Sequence, residues 1–143
     1  IAQSGKKLTA EWIVLNLSHA ANNALSLYLA AEDIPGIGGK DDHKHVGFSM
    51  WGNANILATN RDAAGTTETD TTIDIASGNQ FTRFRLEFTP GTNCKFYIND
   101  VLKATHTTHL PTETALWFHV GISTWENVAH NVTLGRFAIA KAY

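Results

Sequence analysis

The chain has 143 residues, of which 43% are hydrophobic and 17% charged, and this composition fits one packed domain and excludes a disordered chain. Eleven Lys and Arg against thirteen Asp and Glu give a formal charge of -2, so the basic excess that nucleic-acid binding requires is missing. No run approaches the roughly 18 apolar residues of a membrane span. We therefore expect a single domain over residues 1–143 that binds neither nucleic acid nor membrane.

The cysteine content, the glycosylation sequons and the first residue say little about what the protein does. Cys94 is the single cysteine, which rules out an internal disulfide and a cysteine-based zinc site. Two glycosylation sequons begin at Asn16 and Asn131, and in a chain rich in Thr and Asn we expect them to arise by chance. Because the chain begins at Ile1 without a leader, we expect a processed product, an excised domain or the ordered part of a longer protein.

Apolar and polar residues alternate along four segments, with the period of two that is typical of half-buried antiparallel strands. The inward positions that this alternation predicts are Leu25, Leu27 and Leu29, then Phe84, Leu86 and Phe88, then Cys94, Phe96 and Ile98, and then Leu116, Phe118, Val120 and Ile122. Farther on, the alternation changes phase between Leu134 and Phe137. A bulge at Gly135 would return both of these residues to one face.

Turn residues separate the strands at short intervals. Pro90-Gly91 ends one predicted strand, and Asn99-Asp100 suits a tight hairpin because both residue types tolerate positive φ. Residues 20–31 contain five alanines, which favour a helix, but their leucines are spaced by two and we expect a strand. Residues 34–44 and 125–130 are predicted loops. Eight to eleven short strands with almost no helix predict an all-β fold, an antiparallel β-sandwich.

Residues 81–105 combine three features in the order FTRFRLEFTPGTNCKFYINDVLKAT: an alternating strand, a Pro-Gly turn and a second strand that ends at Asn99-Asp100. This segment resembles the hairpin of the concanavalin A-like lectin/glucanase superfamily, especially its laminin-G-like jelly-roll modules, which often have Asp-Gly or Asn-Gly at that turn. With Leu110-Pro111 and the later strands, the resemblance covers about residues 81–140. It implies a jelly-roll sandwich whose N-terminal strands are incomplete or arranged differently, and it says little about function.

The resemblance also raises the question of catalysis. Hydrolases of that superfamily use a Glu-x-Asp-x-x-Glu pattern, in which one carboxylate is the nucleophile and another the general acid. The nearest approach in this chain is Glu68, Asp70 and Asp74, which we expect on one face of an extended strand. The final Glu of the pattern is absent, and so are flanking aromatic residues. We therefore predict a solvated strand face and a protein that is not an enzyme.

Metal binding is a second possibility. Asp41, Asp42, His43 and His45 place two histidines, spaced by two, beside two carboxylates, and this set could bind a first-row metal. A second, looser pair is His106 and His109. The alternative for both groups is that they are polar residues facing water. The resemblance adds that loop aspartates could hold Ca²⁺, and the candidates are Asp33, Asp41, Asp42 and Asp62. No cofactor is predicted, and Ca²⁺ stays open.

Glycan binding on such a sandwich needs an exposed aromatic ring on which a sugar can stack, together with polar groups for its hydroxyls. Two tryptophans lie at predicted turns beside polar residues, and the candidate ligand-binding residues are Trp125, Glu126, Asn127, Trp51 and Asn53. The alternative for each tryptophan is packing under a loop or at a subunit contact. Trp12 and Trp117 fall within predicted strands, where packing is expected. Trp117 is out of phase with its core neighbours and is assigned to the outer face of its sheet.

We therefore expect a non-catalytic binding or structural-display module. The favoured form is a virion-surface component of the capsid-decoration or tail-fibre type, with glycan or cell-surface ligands and with identical subunits or capsid and tail proteins as partners. The alternatives are a secreted carbohydrate-binding lectin and, third, a β-glucan hydrolase. The expected location is the virion surface or the extracellular space.

Overall fold

The computed structural model describes residues 5–16, 23–31, 43–52, 55–74, 81–124 and 132–141. These residues form ten strands: β1 (Leu8–Asn16), β2 (Asn23–Ala30), β3 (His45–Trp51), β4 (Leu57–Arg61), β5 (Thr66–Asp70), β6 (Phe81–Thr89), β7 (Asn93–Ile98), β8 (Val101–His106), β9 (Trp117–Thr124) and β10 (Val132–Lys141). Within these ranges no helix has the length and hydropathy needed to cross a bilayer.

The strands form two five-stranded antiparallel sheets. Sheet A has the order β10-β1-β6-β7-β8, and sheet B has the order β5-β4-β3-β2-β9. In each sheet, the apolar positions predicted from the alternation point towards the other sheet. We call this side of a sheet its inner face. The expectation of an all-β antiparallel sandwich is confirmed. Residues 20–31 are described from residue 23 onward, and there they form the strand β2 and not a helix.

Aromatic side chains fill the space between the two sheets. Trp12 has no exposed surface, and its ring stacks on Phe118 at a centroid distance of 4.9 Å and meets the edge of Phe48 at 6.5 Å. Phe48 also packs against Phe84 and Phe96 at 5.1 and 5.5 Å. Aromatic pairs in these geometries add to the stabilisation that comes from buried apolar area. Contacts between rings of different strands therefore join the two sheets at the centre of a core whose other buried residues are mostly aliphatic.

The predicted bulge in the last strand is present. Ile13 pairs with Arg136 while Val14 pairs with Leu134, so Gly135 is the extra residue on β10. Phe137, which follows the bulge, consequently lies opposite Trp12 on the inner face of sheet A. A Cβ at Gly135 would lie 2.9 Å from the ring of Phe81, which explains why glycine suits this position.

The hairpin between β7 and β8 also forms as predicted. Asn99 and Asp100 have φ values of 49° and 65°, the left-handed backbone that a two-residue turn of this kind requires. Asn99 closes the turn onto β6, since its backbone N–H donates to the carbonyl of Arg83 and its Oδ1 accepts from the Arg83 N–H. Ile122 departs from prediction: it shares the inner phase of β9 but stays 43% exposed, because β9 is at the edge of sheet B.

A buried hydrogen-bond cluster of Asn60, Thr69 and His106 joins β8 of sheet A to β4 and β5 of sheet B. Asn60 donates through Nδ2 to the carbonyls of Thr108 (2.8 Å) and His109 (2.7 Å), which leaves its Oδ1 as the acceptor facing His106 Nδ1. His106 therefore carries its proton on Nδ1, and Nε2 accepts from the Thr69 hydroxyl at 2.9 Å. The predicted pair of His106 and His109 is thus separated, because His106 is committed to this cluster.

The cluster predicts how stability depends on pH. Burial lowers the pKa of His106 from its ordinary value of 6.5, so the fold favours the neutral ring. The free energy of unfolding is expected to be largest above about pH 6.5 and to fall as acidification protonates His106. Urea unfolding at about pH 7.5 and about pH 5 measures this difference. His106→Gln should reduce the decrease, whereas His109→Gln should retain it, and equal decreases in the parent and His106→Gln would contradict the assignment.

Candidate functional site

The outer face of sheet B carries a grid of polar and aromatic side chains. Cross-strand register aligns two rows across all five strands: His119, Tyr28, Gly47, Thr59 and Glu68 in one, and Trp117, Ala30, His45, Arg61 and Thr66 in the next. Directly opposed side chains in such a row are close enough to touch. The register therefore brings together residues that are far apart in the chain.

Tyr28 lies at the centre of this grid between two histidines. Its ring stacks on His45 at 4.5 Å and lies nearly parallel to His119 at 6.0 Å. The missing side chain at Gly47 makes this possible, since a Cβ there would lie 2.9 Å from Tyr28 Cδ1. Tyr28 and His45 are fully buried although they belong to the outer face. The three rings form one packed aromatic unit across β3, β2 and β9.

Hydrogen bonds fix the polar members of the grid. His119 Nε2 and the Ser26 hydroxyl are 3.2 Å apart, and His45 Nε2 is 3.3 Å from the Thr59 hydroxyl. Thr59 in turn lies 3.4 Å from Glu68 Oε1 on β5. The arrangement holds imidazole, hydroxyl and carboxylate groups in set positions across the sheet. Of these groups, His119 and Glu68 reach solvent, whereas Ser26, His45 and Thr59 are buried.

Trp117 is the large aromatic ring that this face presents to solvent. It begins β9, stands opposite Ala30, and is 65% exposed, two residues from the half-buried His119. The sequence correctly assigns Trp117 to the outer face, and its exposure shows that it is not packed under a loop, whereas packing at a subunit contact stays a prediction. The signal that could have identified it is the small residue opposite, since Ala30 leaves the indole without a large neighbour across the strand pair.

The predicted glycan residues are only partly described. Trp51 ends β3 on the outer face of sheet B, opposite Ala24, and is half-buried, so it offers less ring surface than Trp117. Asn53, Trp125, Glu126 and Asn127 lie outside the described residues. Ala24 also pairs with Ser123, so the ends of β3 and β9 flank β2 at the same end of the sheet.

The predicted metal ligands are also partly described. His45 Nδ1 donates to the carbonyl of His43 at 2.8 Å and its Nε2 bonds Thr59, so both ring nitrogens are used within the protein. Binding of a metal by His45 would require one of these bonds to break. Asp41 and Asp42 lie outside the described residues, and a site that uses them with His43 stays a prediction. In the described part of the chain, no three His, Cys, Asp or Glu side chains are grouped to hold a metal ion.

Asp62, a Ca²⁺ candidate, serves the turn between β4 and β5. Its Oδ1 accepts from the backbone N–H groups of Ala64 (2.7 Å) and Gly65 (3.0 Å) and faces His109 Nδ1 at 3.3 Å. Desolvation opposes ionisation of this carboxyl, but these hydrogen bonds and the neighbouring His109 outweigh it and lower its pKa. The carboxylate thus has a structural role in closing the turn.

The three acids considered for catalysis do not share one strand face. Glu68 and Asp70 both lie on the outer face of β5, as predicted, but β5 ends at Asp70 and the expectation for Asp74 is wrong. Thr72, with φ 59°, turns the chain between them. Asp70 Oδ1 accepts from the Thr72 N–H at 2.7 Å, and its Oδ2 accepts from Asn55 at 3.2 Å. Both oxygens of Asp70 therefore stabilise the end of the strand.

Comparison with known proteins gives the fold and no family. No family model matches the sequence, and no curated protein is similar to it. Among solved structures, the chain is similar to a Bacillus licheniformis β-glucanase, with a TM-score of 0.64 and 13% identity over 97% of this chain and 67% of that one. It is also similar to sheep galectin-11, with a TM-score of 0.59 and 11% identity over 98% and 93% of the two chains.

A third similar structure is the binding domain of botulinum neurotoxin DC, solved in complex with rat synaptotagmin II. The TM-score is 0.59 and the identity 13%, and the match covers 94% of this chain but only 32% of the toxin chain. Identities this low show the fold alone. The chain has the antiparallel jelly-roll sandwich fold that these structures share.

Proposed function

We propose that this chain is a non-catalytic, lectin-like module that binds glycans through the outer face of sheet B. The observation that carries the proposal is Trp117, an indole that is 65% exposed beside the half-buried His119 on β9. A flat aromatic ring provides a surface for the apolar face of a pyranose, and neighbouring polar groups orient its hydroxyls. His119 is itself held by Ser26, so the polar partner beside the ring is positioned in advance.

The similar structures support this class of function without assigning a ligand. They include a galectin in complex with glycerol and a type C botulinum neurotoxin whose cell entry depends on interaction with two ganglioside molecules. Both are sandwiches of this fold at 11–13% identity. The glycan or cell-surface ligand of this chain is proposed on the chemistry of its own exposed face.

Trp117→Ala is the direct test. On a glycan array followed by calorimetric titration, the parent should bind at least one glycan, and Trp117→Ala should weaken that binding about tenfold or more, as expected for the loss of a central aromatic anchor. The matched control is Phe81→Ala, which removes a 56% exposed aromatic ring from the outer face of sheet A and should leave the affinity unchanged.

Two results would contradict the proposal. One is a parent protein that binds no glycan on the array, and the other is an affinity that falls equally in Trp117→Ala and Phe81→Ala. Trp117→Phe should retain part of the binding, because a smaller ring still stacks. The titrated saccharides should also be recovered uncut, since cleavage would show that the module is an enzyme.

Hydrolysis of a β-glucan is the second candidate. It is favoured by the fold that the chain shares with a β-glucanase and by Glu68 and Asp70 on one face of β5. Against it, both oxygens of Asp70 accept local hydrogen bonds, and Asp74 lies beyond the end of the strand. Retaining hydrolysis needs two free carboxyl groups at close separation. We therefore propose binding without cleavage.

The location of the module belongs to the same proposal. An extracellular position or a place on a virion, as a capsid-decoration or tail-fibre component, is supported by the low content of charged residues, 17%. Capsid or tail proteins would then be partners besides the glycan.

A further inference from the structure

The two edges of the sandwich differ in the contacts that connect sheet A to sheet B. On one side, the Asn60–Thr69–His106 cluster links β8 to β4 and β5. On the other side lie β10 of sheet A and β9 of sheet B, each of which pairs with only one other strand among those described. An unpaired edge strand presents free N–H and C=O groups to any strand that can align with it. The β9/β10 side is therefore open both in its backbone hydrogen bonds and in its side-chain packing.

Apolar side chains of the inner faces reach the surface on this open side. The ring of Phe137 packs against Phe118 in a tilted arrangement at a centroid distance of 4.9 Å, and Phe118 stacks on the fully buried Trp12 at the same distance. Phe137 is nonetheless 59% exposed, and Ile122 on the neighbouring edge is 43% exposed. The row of rings thus runs from the core to solvent, and no strand in the described part of the chain covers its end.

We propose that β10 of a second copy of this chain provides that covering strand, in an antiparallel pair whose twofold axis passes through Ala138. This register places Phe137 opposite Ile139 of the second copy on the inner face and Arg136 opposite Ala140 of the second copy on the outer face. The central part of the strand is suited to pairing with itself, because Phe137 and Ile139 are apolar on the inner face and Ala138 and Ala140 are small on the outer face.

Other registers of the same pairing are less favourable. Centring on Arg136 would oppose two guanidinium groups, and centring on Phe137 would oppose Ile139 to Gly135 in the bulge. Centring on Ile139 would oppose Phe137 to Lys141. Registers shifted by one residue would oppose inward to outward side chains and break the continuity of both faces. The register centred on Ala138 also reaches the bulge, but it opposes only Lys141, at the end of the strand, to Gly135 and keeps Phe137 and Ile139 paired. It is therefore the most favourable of these registers.

Charge also favours a second copy over a lipid surface. Along the regular part of β10, Arg136 and Lys141 are the two basic residues, and the formal charge of the whole chain is -2. Binding to anionic lipid depends on clusters of four or more basic residues, which this strand does not carry. The edge therefore lacks the basic cluster that an anionic lipid surface would need, and β10 of a second copy offers Phe137 and Ile139 as apolar partners.

Single-cysteine crosslinking tests the register. At the twofold axis the two Ala138 Cα atoms would be about 4.5–5.5 Å apart, within the range for a disulfide, so Ala138→Cys should oxidise to a covalent dimer. The matched control is Ala140→Cys, whose two Cα atoms would be about 13 Å apart and should not crosslink. The native Cys94 is fully buried, and burial raises its thiol pKa, so it should not compete.

Sedimentation of the parent protein provides the second measurement. We expect a dimer, and Phe137→Lys should raise its dissociation constant about 30-fold or more, with circular dichroism confirming an intact fold. A parent that remains monomeric overturns the proposal. So does a dimer that is unaffected by Phe137→Lys, or one in which Ala140→Cys crosslinks as readily as Ala138→Cys.

Discussion

Gly47→Ala is expected to prevent the sandwich from folding. A Cβ at this position would lie 2.0 Å from the carbonyl oxygen of Leu27 and 2.9 Å from Tyr28 Cα, both backbone atoms of the neighbouring strand. Backbone atoms at such distances cannot move aside without opening the β2–β3 pairing at the centre of sheet B. The destabilisation should exceed about 4 kcal/mol, a large fraction of the total stability of a domain of this size. Circular dichroism and urea unfolding of the purified variant measure the loss.

Ser49→Ala is the matched control for this prediction. Ser49 lies two residues farther along β3 on the same face, and its hydroxyl is buried without a hydrogen-bond partner among the described residues. Removing it should leave stability unchanged or raise it slightly, because a buried, unsatisfied hydroxyl costs free energy. Gly47→Ala with the urea midpoint of the parent would contradict the close approach of β2 and β3.

Trp12→Ala should lower the free energy of unfolding by about 3–5 kcal/mol. The indole has no exposed surface, joins the two sheets through Phe48 and Phe118, and lies opposite Phe84 and Phe137 in its own sheet. Its removal would leave a cavity that residues on four other strands cannot all collapse to fill. Equilibrium unfolding in urea gives the difference directly.

Trp12→Phe separates lost packing from lost hydrogen bonding. Phenylalanine keeps much of the ring contact and removes the indole Nε1, which is buried without a partner in the described part of the chain. The cost should stay below about 1.5 kcal/mol. If Trp12→Ala cost no more than Trp12→Phe, Trp12 would not have the central packing role assigned to it.

Much of the fold could be predicted from local sequence pattern. The inward residues of β6 and β7, the Asn99-Asp100 hairpin and the bulge at Gly135 were all predicted, because each is encoded within a few neighbouring residues. The strand β2 was predicted against its alanine content for the same reason: leucines spaced by two cannot form one face of a helix.

The candidate site was less predictable, because it depends on residues that meet across strands. Trp117 is exposed because β9 is an edge strand and because Ala30 lies opposite the indole. Neither the strand order nor this pairing can be inferred from the alternation within β9. Asp74 was misplaced because the turn at Thr72 is held by a side-chain bond from Asp70 that spacing does not reveal. The local sequence around Gly47 does not show that Tyr28 packs against this position.

The amino-acid sequence by itself determined that this protein is an antiparallel sandwich, since a period of two assigns each side chain to one face of a sheet. Only the tertiary structure decided which outer-face residues are packed and which meet solvent. The physical reason is that strand order and register are long-range properties. They set His119, Tyr28 and His45 against one another and leave the rings of Trp117 and Phe137 open to a ligand or a partner.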